Sequence, residues 1–261
     1  MVLQIGLLGA ASALGLLTAI TIGKWLDARS LSGYGVDVSG REVADWAAGT
    51  VIGGLTYAVP TLVFSKLGGA EVTAAFTTPI EDTSVVAVVI VVAIASFGLQ
   101  TAFEEFAFRG VMFKNFVEGI AARGCSHSWA VLISLLASSL LFGVSHVITQ
   151  GGGGAEGRSV QLVITSALLG VLWGGAYVLT GRLSIPFGLH FGHNLWAAVV
   201  LQPTEVGLEL PALGQVAYSV GRYELAVSKL IVGAVCVLVW LYGTRDELTI
   251  ELKAHRVSSS D

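Results

Sequence analysis

Apolar runs recur along the chain, separated by short polar stretches. They are Leu3 to Gly23, Trp46 to Phe64, a run opening at Ser84, Trp129 to Val147, Val160 to Thr180, Ser184 to Leu201 and Ala226 to Gly243. A helix crosses a bilayer with about 20 apolar residues, so each run is a candidate span. Pro60 and Pro186 fall inside runs, which membrane helices tolerate. Lys24 to Asp45 mixes charges with Gly and Ser and reads as a loop, and Ser65 to Asp82 and Gln202 to Glu224 read as polar connectors. Gly151 to Gly154 is a four-glycine run, too flexible for a helix interior. The tail from Thr244 to Asp261 is charged. Met1-Val2-Leu3-Gln4 carries no basic residue ahead of the first apolar run, unlike a cleavable signal.

Topology turns on Phe106 to Ala122, where Lys114, Asn115 and Glu118 make a helix amphipathic. If that stretch does not cross, seven spans result with the N-terminus outside. Internal loops then hold Lys24, Arg29, Arg41, Lys114, Arg123, Arg182, Arg245, Lys253 and Arg256, against Lys66, Arg158 and Arg222 outside. The positive-inside bias favours this count. If the stretch crosses, the bias vanishes, but Glu104 and His146 share a leaflet more easily. The sequence therefore predicts an all-α, polytopic transmembrane helical bundle of seven or eight spans, with a long or broken third helix.

Composition agrees. Of 261 residues, 54% are hydrophobic and 12% charged, with mean hydropathy +0.78; soluble domains carry about 25% charged residues. The net charge of −4 gives no reason to expect a nucleic-acid partner. Cys125 and Cys236 read as small packing residues. Arg outnumbers Lys nine to five, a hint of a high-GC prokaryote and hence of a prokaryotic cell membrane.

Candidate chemistry gathers in three stretches. In Thr101-Ala102-Phe103-Glu104-Glu105-Phe106-Ala107-Phe108-Arg109-Gly110, three ionisable groups lie within six positions beside a wall of Val and Ile. On a helix Arg109 sits over Glu105, while Glu104 points about 100° away and is left without a helical partner. One carboxylate is thus committed to structure and one free for chemistry. Phe142-x-x-x-His146 and His190-x-x-x-Asn194 place further polar groups in apolar helices. Each stretch alone has a bland reading: a buried ion pair, a hydrogen-bonded core histidine, an asparagine bridging helices. Phe142 alone reads as core packing that could also hold His146.

Together these stretches resemble the CPBP family, the CAAX-prenyl-protease and bacteriocin-processing (Abi) intramembrane endopeptidases, whose pattern is E-E-x-x-x-R, F-x-x-x-H and H-x-x-x-N on successive helices. The resemblance covers roughly Val85 to Val200 and suggests three parts: N-terminal helices and loops (1–83), a catalytic core (84–201), and a last helix with its tail (202–261). It implies that Glu104 activates a water with His146, that His190 and Asn194 stabilise the oxyanion, and that Glu105 and Arg109 hold the motif helix. His193 falls inside the third motif, where it supports the neighbouring site residues or simply packs. The implied reaction needs no cofactor. Zinc is the alternative, with Glu104, His146 and His190 as ligands and His193 a further donor of the right type. Implied partners are membrane lipid and a peptide or protein substrate with a membrane-anchored or lipidated segment. Other classes stay open: a non-proteolytic binding, immunity or scaffold protein of the same fold, or a transporter using the charges as an ion relay. Against the transporter stands the lack of an inverted repeat.

Overall fold

The computed structural model describes residues 2–149, 158–204 and 210–245. The four-glycine run at 151–154 and most of the charged tail lie outside them. Helix α1 spans Val2–Leu26 and α2 Gly40–Lys66, with a single 3₁₀ turn at Ser32–Tyr34 between them. Both helices extend into the stretch expected to be loop. The Ser39 hydroxyl caps α2 by accepting from the backbone N–H of Glu42, so the helix begins six residues before its apolar run.

The third rod is one continuous helix of 39 residues, Thr83–Ala121. It comprises α3 (Thr83–Glu105), a π-helical segment (Phe106–Phe113) and α4 (Lys114–Ala121). Asp82 caps it: the Ser84 hydroxyl and backbone N–H both donate to its carboxylate, which holds that carboxyl below its usual range. At 1.5 Å per residue the rod is about 58 Å long, roughly twice a hydrocarbon core. Phe106 to Ala122 is therefore neither a separate span nor a surface helix but the far part of a long one. Then come α5 (His127–Thr149), α6 (Arg158–Thr180), α7 (Ser184–Leu195, continued as a π segment to Val200) and α8 (Arg222–Thr244). Six helices among the described residues are long and apolar enough to cross a membrane. The seventh, α7, is shorter and deeply buried.

The connectors read as polar carry a small sheet. Strands β1 (Ala70–Thr77), β2 (Leu201–Pro203) and β3 (Ala212–Tyr218) pair in the order β1-β3-β2, antiparallel between β1 and β3 and parallel between β2 and β3. The sheet ties the chain leaving α2 to the chain leaving α7, so those helix ends lie on one side. Helices α2 and α7 run parallel and touch backbone to backbone. A Cβ on Gly49 would stand 2.6 Å from the Ile185 carbonyl oxygen and 3.1 Å from the Gly188 Cα. The opposite end of the bundle gathers the ion pairs Arg29–Glu118 (2.7 Å), Arg182–Asp37 (3.2 Å) and Arg245–Asp45 (2.9 Å). Lys114 donates to the Gly33 carbonyl at this same end. These are the loops assigned to the inside by charge counting.

Candidate active site

Glu104 and Glu105 close α3, and the helix widens into its π segment at the next residue. Such segments are frequent at functional sites, because the extra residue per turn re-aims the side chains around it. Glu105 and Arg109 are both 1% exposed, and Arg109 Nη1 donates to Glu105 Oε1 at 3.1 Å. Arg109 Nη2 donates to the Gly170 carbonyl at 3.2 Å, and its guanidinium lies 4.6 Å from the Phe142 ring centroid. The i,i+4 pair is thus present, but it does not exhaust Glu105. His190 Nδ1–H donates to the same Oε1 at 2.8 Å. Glu105 therefore also orients the histidine of the third motif, a contact between helices that helical spacing does not encode.

Glu104 is not without a helical partner, as the sequence reading had it. Gln100 Nε2, four residues earlier on the same face, donates to Oε1 at 2.9 Å. The other oxygen, Oε2, is buried without a hydrogen-bond partner among the described residues, 3.6 Å from His190 Nε2. That gap is too long for a direct hydrogen bond and too short to hold a water on its axis, but a water beside it can touch both atoms. Because Nδ1–H is directed at Glu105, a neutral His190 presents Nε2 as an acceptor; a doubly protonated ring donates from both nitrogens.

His146 Nδ1–H donates to the Phe142 carbonyl at 2.8 Å, which leaves its Nε2 as an acceptor when the ring is neutral. Phe142 is fully buried, with ring centroids 4.5 Å from His146 and 5.7 Å from His190, so it packs between the two histidines. Asn194 lies one turn beyond His190, half-buried, and hydrogen-bonds none of these side chains among the described residues. His193 faces away from the carboxylates, its Nδ1–H donating to the Thr56 hydroxyl of α2 at 3.0 Å, while that hydroxyl donates to the Gly53 carbonyl. Trp173 of α6 stacks on His190 at 3.9 Å with planes 13° apart. Nothing in the pattern of α6 distinguishes Trp173 as a site residue; Gln100 was legible from its i−4 spacing to Glu104.

A cavity of about 360 Å³ reaches Glu105 from the inner end. Its walls are mainly apolar, from Leu16, Ile20, Trp46, Phe106 and Phe187, with Asp37, Glu42 and Ser184 among its few polar residues. The cavity is thus an apolar one that ends on a carboxylate. No three His, Cys, Asp or Glu side chains among the described residues are grouped so as to hold a metal ion.

Residues 83–196 match the family model of type II CAAX prenyl endopeptidase Rce1-like proteins. That segment is similar to the Rce1-like family. Comparisons with curated proteins and with solved structures return no match. The Rce1-like segment opens with α3 and closes at the end of α7, so it contains all three motifs. The similarity points to a CAAX-type protease, and the six apolar helices make the chain an integral, multi-pass membrane protein.

Proposed function

We propose that the chain is an intramembrane endopeptidase that hydrolyses peptide bonds of membrane-anchored or lipidated substrates with a water activated by Glu104. The observation that carries this reading is the unpartnered, buried Oε2 of Glu104 facing His190 Nε2 across 3.6 Å. A water beside that gap donates one proton toward Oε2 and presents its lone pair to a carbonyl carbon. Glu104 takes the proton as the C–O bond forms and later delivers it to the leaving amine. Gln100 fixes the other carboxylate oxygen and so the direction of Oε2.

His146 supplies a second acceptor for the water through Nε2. His190 stabilises the oxyanion when its ring carries both protons, since Nδ1–H is already held by Glu105 and Nε2–H is then aimed at the reacting centre. Asn194 is the second oxyanion donor once a substrate carbonyl enters. Glu105 and Arg109 position the motif helix and His190, and no step calls for an ion. The substrate must offer extended backbone, because helical amides are already satisfied within their own helix. The apolar cavity beneath Glu105 suits a substrate's lipid or apolar side chain.

Purified protein in detergent, mixed with lipidated peptides and assayed by mass spectrometry, is expected to release one discrete fragment. Unchanged peptides would favour the binding, scaffold or transporter readings.

A further inference from the structure

The mechanism leaves two buried polar atoms unused, and both belong to residues that line one cavity. Glu105 Oε1 holds Arg109 Nη1 and His190 Nδ1, while Oε2 is buried without a hydrogen-bond partner among the described residues. Trp46 of α2 packs its ring against Phe187 and Phe191, and its indole Nε1–H is buried without an acceptor among the same residues. Glu105, Trp46 and Phe187 all line the apolar cavity of about 360 Å³. Protein interiors pair nearly all such atoms. An orphan acceptor and an orphan donor among the lining residues of one cavity point to an occupant that serves both.

The cavity is accessible and adjoins the reacting groups. Leu31, Val38 and Val43 line it and are exposed, Val38 at 90%. From these residues it extends to Glu105, which follows Glu104 in sequence and whose Oε1 stands 2.8 Å from His190 Nδ1. Its volume equals about twelve waters at ~30 Å³ each, room for a molecule of roughly ten non-hydrogen atoms.

Walls and charge select the occupant. The lining is mainly aliphatic and aromatic, so the body of the ligand is apolar. Asp37, Glu42 and Glu105 line the cavity and no Lys, Arg or His does, which turns away a carboxylate or phosphate. Asp37 and Glu42 already face Arg182, and Glu105 faces Arg109, so none of them calls for a further cation. An ammonium also has no acceptor to offer Trp46. A plain hydrocarbon, a substrate's lipid included, fills the walls but leaves both orphans unpaired. A hydroxyl or a carboxamide donates and accepts at once.

We infer that this cavity binds a short aliphatic alcohol or amide, a neutral molecule whose polar tip donates to Glu105 Oε2 and accepts from Trp46 Nε1–H. The site goes beyond the endopeptidase reading and does not require it. Where that reading holds, the occupant takes the volume offered to the substrate's apolar part and bonds the carboxylate that orients His190, so it inhibits.

The test photolabels wild type in zwitterionic nanodiscs with a diazirine-bearing octanol and maps the adducts by mass spectrometry. Saturable labelling is expected on Leu16, Ile20 and Phe187. Octanol and octanamide should displace the label at membrane concentrations about 10-fold or more below those of octane or methyl octyl ether, as hydrogen bonds to a charged and a neutral partner require. Trp46→Phe should narrow that advantage, and Ala102→Leu, which fills the cavity, should remove the labelling. Wild type alone can overturn the inference. Equal displacement by octane makes the cavity a plain hydrocarbon site, selective displacement by octylammonium or octanoate makes it an ion site, and labelling that does not saturate leaves the two atoms to water. An alcohol preference undiminished in folded Trp46→Phe overturns it too. Cleavage of a lipidated peptide, with and without octanol, separates the two readings. Alcohol-selective labelling of a protein that cuts nothing removes the endopeptidase and leaves the site; cleavage with unselective labelling does the reverse. Full cleavage at saturating octanol overturns the inhibition.

Discussion

Glu105 holds two donors on one oxygen, Arg109 Nη1 and His190 Nδ1, in a setting with almost no exposure. Arg109→Ala would leave that carboxylate without its permanent countercharge. Breaking a buried pair from one side costs about 3–5 kcal/mol, so the variant should melt well below wild type in detergent. Glu105→Gln combined with Arg109→Ala should recover part of the loss, because the stranded charge is gone. A singly substituted protein with an unchanged melt but no activity would move Arg109 from support into the reaction. His190→Ala and Asn194→Ala should each lower turnover by about 10²–10³ with little change in substrate binding, the effect of losing an oxyanion donor. His193→Ala should cost much less, since its ring bonds to Thr56 and not to the carboxylates. The zinc alternative expects otherwise: there a chelator silences wild type, and elemental analysis finds about one zinc per chain. The proposed mechanism predicts chelator-resistant activity. At this scale the sequence disclosed the ion pair and the two histidines, because i,i+4 spacing is a helix property. It did not disclose that Glu105 serves His190, because that bond joins α3 to α7 across 85 residues of sequence.

At the scale of elements, the site depends on how closely α2 approaches α7. Gly49 and Gly53 face Ile185, Gly188 and Leu189, and a methyl group at Gly49 would meet backbone atoms that cannot rotate away. Gly49→Ala should therefore separate the helices and shift His190 and His193 together. Overpacking of this kind costs about 1–3 kcal/mol, read as a lowered melting temperature together with lost cleavage. Gly175→Ala is the matched control, since a Cβ there meets nothing within 4 Å. On α6 the glycines are Gly170, Gly174 and Gly175. Gly170 and Gly174 lie against Ser139 and Leu135 of α5, whereas Gly175 faces open space. The tighter contact, between α2 and α7, was not legible because two separate small-residue patterns do not reveal that they meet. The strands were missed for a related reason: β1 and β3 are exposed or half-exposed along much of their length, so hydropathy reads them as connectors.

For the whole molecule, the parallel course of α2 and α7 and the sheet beyond them give two distinct ends. One carries the sheet; the other carries the Arg29, Arg182 and Arg245 pairs. The positive-inside rule predicts that the second end faces the cytoplasm. In a Cys236→Ser background, native Cys125 should react with an impermeant thiol reagent only from the inside. A cysteine replacing Thr73 in β1 should react only from the outside; the reverse pattern would invert the protein. Apolar runs were enough to place the six long helices, while α7, expected as a span, is a shorter buried helix. The single 39-residue rod was harder to read, because charges in α4 imitate a helix end where the chain simply leaves the membrane. Everything proposed for the function converges on one carboxylate oxygen. The most direct measurement compares wild type with Glu104→Gln on a lipidated peptide, with equal yield and equal thermal melts as the control for folding. The account predicts a discrete cleavage product from wild type and none from Glu104→Gln, which keeps the size of the side chain and removes only the base. Cleavage at the wild-type rate by the glutamine variant would contradict it.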